Sequence, residues 1–276
     1  MKKEEVKKAV RQRYARKAKE ETSCCAPAVS CCGSANKADE ISKVVGYTNE
    51  ELESVPEGAN LGLGCGNPVA LASLKKGETV LDLGAGAGFD CFLAANMVGP
   101  KGRVIGVDMT PEMLDRAREN AKKDNYENVE FRLGEIENIP AADNSVNVAI
   151  SNCVINLSPD KPRVFREAFR VLKPGGRLMV SDIVLLKELP DFIRESIDVY
   201  AACVGGAMVK DEYIGAIKKA GFKEVKVVGE AHFPVELMAN DPNVKAAIEA
   251  LNVPMEQLMD VAASIVSIKV QATKPK

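Results

Sequence analysis

Three cysteines lie in segments whose composition leaves them free for chemistry. Cys65 falls in the glycine-rich run Asn60-Leu-Gly-Leu-Gly-Cys-Gly-Asn-Pro68, Cys153 in Ser151-Asn-Cys-Val-Ile-Asn-Leu157, and Cys203 just before Gly205-Gly206. Taken singly, a free cysteine behaves as a small buried hydrophobe. Three thiols converging on one point would be different, because soft sulfur ligands select thiophilic centres over magnesium or calcium. A free thiol, with a pKa of about 8.5, keeps most of its protons at neutral pH, and binding such a centre removes them. Cys91, between Phe89 and Phe92-Leu93, reads as a core residue without a ligand role. The doublets Cys24-Cys25 and Cys31-Cys32 sit in the small, polar stretch 22–37, which reads as a loop.

A second chemistry is written in the glycines. Val80-Leu-Asp-Leu83 is followed by Gly84-x-Gly86-x-Gly88, a turn that lets backbone approach a ligand closely and aims helix N–H groups at it. Phe89 occupies the place of the third glycine in a dinucleotide fingerprint, which argues against a nicotinamide cofactor. Asp108 stands 24 residues after Gly84, at the end of the next apolar run, where a carboxylate can accept hydrogen bonds from both hydroxyls of a ribose. In register, the two features indicate an adenosyl pocket. The single histidine, His232, falls outside these motifs and reads as an ordinary strand or loop residue.

The elements that must position these groups alternate. Strands are expected at Glu78–Leu83, Arg103–Val107, Val129–Arg132, Val146–Ile150 and Arg177–Val180, with helices at Asp90–Val98, from Pro111, and at Asp160–Leu172. Thr110-Pro111 is a cap and first-turn pair, with Glu112 and Arg116 as an exposed i,i+4 pair behind it. Lys173-Pro-Gly-Gly176 reads as a turn. This order implies an α/β fold with a doubly wound, mostly parallel sheet. A cysteine-rich N-terminal segment precedes it and an α+β extension follows. In that extension a helix at Asp211–Ala220 and strands at Val225–Val228 and Ser264–Ala272 are expected, with loops and helices over 230–262. The expected organisation is 1–58 as N-terminal helices and cysteine-rich loop, 59–204 as the ligand-binding core, and 205–276 completing the sheet. Within the first segment, 1–21 reads as an amphipathic helix with Val6, Val10 and Tyr14 on one face, and Asp39–Leu52 as another helix. Pro56–Pro68 reads as a connection and Phe192–Ala202 as a helix leading to Cys203.

Bulk properties narrow the setting. A net charge of −2 gives no footprint for nucleic acid; the Lys and Arg of residues 2–18 are diluted by Glu4, Glu5 and Glu20 and read as a solvated helix face. No segment reaches the ~20 apolar residues of a membrane span, and the N-terminus lacks the apolar stretch of a signal peptide. A cytoplasmic protein is expected, with its eight cysteines mostly reduced.

Val80-Leu-Asp-Leu-Gly-Ala-Gly-Ala-Gly88, Gly106-Val-Asp108 and Leu172-Lys-Pro-Gly-Gly176 resemble the motifs of class I S-adenosylmethionine methyltransferases, which have a Rossmann-like fold. The resemblance implies that the donor borders Asp82, Gly84, Ala85, Gly86 and Gly88, with Gly84 to Gly88 along its methionine part. It further implies that Asp108 holds the ribose and Met109 packs on the adenine. Glu135, where that family usually has Asp, and Ile136 would sit at the adenine amino edge, and Asn152 beside the sulfonium. Residues 60–68, 151–162 and 203–207 resemble the arsenite methyltransferase family, a likeness running from about Tyr47 to Phe222. It implies methyl transfer to trivalent arsenic for detoxification. Cys153 and Cys203 would be the core thiol pair, Cys65 a third ligand, and Cys32 (or Cys31) the match to an upstream cysteine. The implied partners are arsenite or its thiol conjugates, and glutathione, thioredoxin or another thiol reductant. Two other readings share part of the pattern: a methyltransferase of an organic acceptor such as a quinone precursor, and a non-catalytic thiol protein that sequesters metal.

Overall fold

Runs such as Val80–Leu83 and Val146–Ile150 are apolar at nearly every position, the mark of parallel strands covered on both faces. In the computed structural model, which describes residues 2–20, 34–194, 196–201, 203–233 and 255–276, they are central strands. The chain begins with helices α1 (Lys3–Glu20), α2 (Ser34–Val44), α3 (Asn49–Glu53) and α4 (Pro68–Leu71). Then β1 (Thr79–Leu83), α5 (Phe89–Val98), β2 (Arg103–Asp108), α6 (Pro111–Lys123), β3 (Val129–Leu133) and β4 (Val146–Asn152) alternate. They lead to α7 (Lys161–Val171), β5 (Leu172–Leu185), α8 (Asp191–Arg194), α9 (Ile197–Ala201) and α10 (Lys210–Lys219). The chain closes with β6 (Lys223–His232), α11 (Met255–Ala263) and β7 (Ile265–Thr273).

The seven strands form one sheet in the order β3-β2-β1-β4-β5-β7-β6. β1 to β5 are mutually parallel, and β7 runs antiparallel between β5 and β6. The expected doubly wound, mostly parallel sheet is therefore present. Its order reverses between β1 and β4, the place where open α/β sheets bind ligands beyond their strand ends. Leu83 pairs in register with both Val107 and Ser151, so Gly84, Asp108 and Asn152 leave the sheet at one edge. One apolar cluster buries Leu81, Val164, Phe165 and Tyr213, another Val80, Phe92, Leu114 and Ile150. A third lies at the ligand edge and contains Cys65, Cys153 and Cys203 together with Val6, Val10 and Ile183.

Several sequence expectations change in detail. Asp39–Leu52 is not one helix: Gly46 takes a φ of 111°, and Thr48 restarts the chain with a reciprocal capping box to Glu51. Among the described residues of the helix expected over Phe192–Ala202, 192–194 belong to α8 and 197–201 to α9. Lys173–Gly176 belongs to the start of β5 as an irregularity, where register with β4 slips between Val146 and Val148. Arg116 is not exposed; it is buried and donates to the carbonyls of Gly58 and Ala18, while Glu112 pairs with Lys19 at 3.1 Å. The largest change concerns α1, whose inner face covers the ligand edge of the sheet.

Candidate active site

The β1–α5 turn holds Gly84, Gly86 and Gly88 at φ of 78°, 52° and 97°, a left-handed region that glycine enters without the Cβ penalty. A Cβ on Gly84 would lie 2.2 Å from Cγ2 of Val154, whereas one on Gly86 would meet nothing within 4 Å. Gly84 is therefore packed from behind, and Gly86 opens onto a cavity at the ligand edge of the sheet. Asp82, Gly84, Ala85, Asp108, Met109, Ile136 and Asn152 all line it. Asp108 accepts from the Gly86 N–H at 3.0 Å and the Thr110 N–H at 2.8 Å. Each carboxylate oxygen has a second lone pair, so both can still accept from a ligand hydroxyl. Burial pushes the Asp108 carboxyl upward, partly offset by the Thr110 and Gly86 bonds.

Asn152 links this cavity to the thiols. Its amide nitrogen is within donating distance of Gly66 O at 2.8 Å, Tyr47 Oη at 2.8 Å and Asp90 Oδ2 at 3.0 Å. Its oxygen accepts from the Cys65 N–H at 2.9 Å. Tyr47 in turn donates to Asp90 at 2.6 Å, whose carboxyl is pushed up to about 6 by burial, against the pull of Tyr47 and Asn152. Glycine is required in the loop that carries Cys65. A Cβ on Gly64 would stand 2.6 Å from Asn152 Nδ2, and one on Gly66 1.8 Å from Ser181 Oγ.

Cys65, Cys153 and Cys203 are buried and free. The Cys65 and Cys153 sulfurs lie within 4.8 Å of one another, Cys65 Sγ donates to Ser181 O at 3.5 Å, and Cys203 Sγ donates to Cys153 O at 3.2 Å. Cys65 is anchored through its carbonyl, which accepts from Ser267 Oγ at 2.8 Å. Cys153 and Cys203 take φ of 58° and 70°, a strained choice for non-glycine residues, costing on the order of 1–3 kcal/mol, that tends to persist at functional positions. All three thiols are held above their ordinary range. For Cys203 the main cause is the bond to Cys153, followed by burial; for Cys65 it is burial. For Cys153 the bond to Cys203 pulls down, but contact with Cys65 and burial prevail. Cys91 lies elsewhere, inside the core, donating to Asp82 Oδ2 at 3.2 Å. Cys32, Cys31 and the Cys24-Cys25 doublet lie outside the described residues.

Sequence reasoning missed four contributors. Asp182 is fully buried and offers an oxygen within 4.8 Å of the Cys65 and Cys153 sulfurs. It accepts from Tyr213 Oη at 3.0 Å, and burial lifts its carboxyl to about 7. Nearby, burial lowers the Lys161 ammonium to about 8. Tyr47 and Asp90 are the second pair. An acid inside the apolar run Leu178–Leu185 was the one available signal for this group. Glu135 also differs from its expected place at an adenine edge: its carboxylate is turned to Lys7 at 2.6 Å, and Gly134, Ile136 and Glu137 line the cavity beside it.

A family model described as a methyltransferase domain matches residues 74–221. An arsenite methyltransferase of Halobacterium salinarum is 52% identical over 231 residues, which cover 81% of this chain and 59% of that protein. The human arsenite methyltransferase is 37% identical over 66% of this chain and 51% of its own length. The chain thus spans between half and three fifths of these curated relatives. Among solved structures, an arsenic(III) S-adenosylmethionine methyltransferase from Chlamydomonas reinhardtii superposes with a TM-score of 0.62 at 32% identity, covering 86% of this chain and 73% of that one.

Proposed function

The chain belongs to the arsenite S-adenosylmethionine methyltransferase family, and from that premise we propose that it transfers methyl groups from S-adenosylmethionine to trivalent arsenic held by Cys65, Cys153 and Cys203. The observation that carries the reading is the meeting of three thiols from distant segments in one buried cluster, with Cys153 against both others and lining the donor cavity. An organic acceptor gives no reason for that cluster.

The donor site fits its ligand. Gly86 leaves open space where a side chain would intrude, Asp108 keeps acceptor capacity for ribose hydroxyls, and Met109 and Ile136 offer apolar surface for a purine. S-adenosylmethionine supplies a methyl group on a positively charged sulfur, open to displacement by an electron pair. The protein's own contribution is alignment. Asn152 fixes the Cys65 loop and borders the donor cavity. Each thiol displaces a hydroxyl of arsenous acid, its proton leaving with that oxygen as water, and arsenic keeps its lone pair. No base is needed to deprotonate a lone-pair nucleophile. Gain of a methyl group takes arsenic from trivalent to pentavalent. Two thiolates that close a disulfide return the two electrons, and an external thiol, glutathione or thioredoxin in a reducing cytoplasm, reopens it. Cys32 is proposed as a further participant in this relay.

Incubation with arsenite, S-adenosylmethionine and a thiol reductant, followed by separation of methylated arsenicals, tests the proposal. Turnover should fall at least a hundredfold in Cys153→Ser and in Cys203→Ser, a loss of about 3 kcal/mol, with donor binding retained. Undiminished turnover in both variants removes arsenic from the reading. Because α1 lines the cavity, the cysteine doublets are better tested by serine substitution at 24, 25, 31 and 32 than by deleting the N-terminus. Arsenic binding lost only in that variant would favour sequestration.

A further inference from the structure

Helix α1 carries 11 charged residues among its 18 (KEEVKKAVRQRYARKAKE), a composition that reads as a solvated helix. Yet Lys3, Lys7, Val10, Tyr14 and Ala18, spaced by three or four, form one face, and that face lies on the site. Lys7, Val10 and Tyr14 line the cavity. Around the rim, Lys3 meets Asp160 at 2.9 Å, Lys7 meets Glu135 at 2.6 Å and Glu137 at 3.5 Å, and the Ala18 carbonyl accepts from Arg116 at 3.2 Å. Tyr14 packs on the cluster of Cys65, Cys153 and Cys203, with its hydroxyl 3.8 Å from Cys203 Sγ.

We infer that Tyr14 is a positioning residue of the acceptor site, carried over the thiols by α1 and closing them off from solvent. The inference rests on the proposed function for its chemical purpose, since arsenic bound to thiolates must meet the donor and not water or stray thiols. Its physical basis is independent. Among the described residues, Tyr14 is the side chain of α1 bonded to a site thiol, and Lys7, two turns earlier on the same face, ties the helix to the Gly134–Glu137 turn that borders the donor cavity. One helix therefore spans both subsites.

The closure is reversible by construction. Val6, Val10 and Ala18 are the buried apolar residues of α1, and a charged helix of this length is marginal in water by itself. Of its rim contacts, the exposed Lys3–Asp160 pair contributes little and weakens with salt, and Lys7 reaches the half-exposed Glu135 carboxylate, which is open to screening. Opening should be local, well below the cost of global unfolding.

The test uses the whole, reduced protein without arsenic or donor, labelled with iodoacetamide and followed thiol by thiol by peptide mass spectrometry. Cys91, enclosed in the core, reports global opening, so the readout is the labelling rate of Cys203 relative to Cys91. Tyr14→Ala should raise that ratio by about tenfold and Lys7→Ala by severalfold, the latter effect shrinking at high salt as the wild-type ratio climbs. Tyr14→Phe, which keeps the ring, should match wild type. A wild-type ratio in both Tyr14→Ala and Lys7→Ala overturns the inference. Absence of methylated arsenicals from the wild-type protein would instead defeat the proposed function while leaving the labelling ratio to speak for closure alone.

Discussion

Asp182 stands inside the apolar run Leu178–Leu185, bonded to Tyr213 and beside the sulfurs of Cys65 and Cys153. Burial lifts its carboxyl from 3.8 to about 7, with Tyr213, the Ile183 N–H and Lys161 opposing the rise. The sign of the linkage follows: the unfolded chain loses this proton near pH 4 and the folded chain near pH 7. The stability this group contributes is complete below pH 4 and disappears as pH rises through 7. Asp182→Asn, neutral throughout, should therefore gain on wild type as pH increases. In urea unfolding the gain at pH 8 should exceed that at pH 5 by roughly 2–3 kcal/mol. Equal gains at both pH values would mean that the carboxyl does not titrate between them. The same anion repels thiolates, raising the Cys65, Cys153 and Cys203 thiols, so in the asparagine variant these thiols should be alkylated by iodoacetamide at a lower pH.

At the scale of elements, the loop between α3 and α4 and the end of β4 are joined by Asn152, and the joint tolerates no added atoms. A Cβ on Gly66 would fall 1.8 Å from Ser181 Oγ, and both partners are backbone-anchored: Gly66 O receives a bond from Asn152, and Ser181 lies in β5 paired with β4 and β7. Gly66→Ala must then displace the loop and with it Cys65. Arsenite affinity should drop by about tenfold or more, since ~1.4 kcal/mol of lost contact suffices. Donor affinity, read by calorimetry, should change less, because Gly84, Asp108 and Met109 stay in place. A variant with unaltered arsenite affinity would show that Cys65 is not a ligand. The alternation of strands and helices, the glycine turn and Asp108 were legible in sequence because each depends on residues close together in the chain. So was the position of Cys153, at a strand end. Tyr47, Asp90 and Asp182 were not, since their roles come from pairings such as Leu83 with Ser151 and Asn152 with Ser181. The face of α1 was visible as Val6, Val10 and Tyr14, but nothing local says that a charged helix should lie on a pocket.

At the scale of the molecule, Cys65 precedes the first strand, Cys153 follows the fourth and Cys203 follows the fifth, so one atom bound by all three would tie together segments that the sheet alone brings into proximity. Cys153 lies against both Cys65 and Cys203, and Ser267 of β7 holds the Cys65 carbonyl, so the tie reaches the last strand. A ligand that binds only the folded state stabilises it by about 2.7 kcal/mol at a hundredfold excess over Kd, which for a chain of this size raises Tm by roughly 5–10 °C. Arsenite added to the reduced protein should produce such a rise without S-adenosylmethionine. Because the thiols are held above their ordinary range and each thiol proton leaves with an arsenite hydroxyl as water, binding releases no net proton and the increment should stay nearly constant between pH 6 and pH 8. Cys153→Ser should abolish most of it, whereas Cys91→Ser, whatever its effect on the starting Tm, must leave the increment intact, because Cys91 contacts Asp82 and not the cluster. Should Cys91→Ser and Cys153→Ser lose the increment equally, arsenite would be acting on thiols at large, and the meeting of three distant cysteines would have no part in holding it.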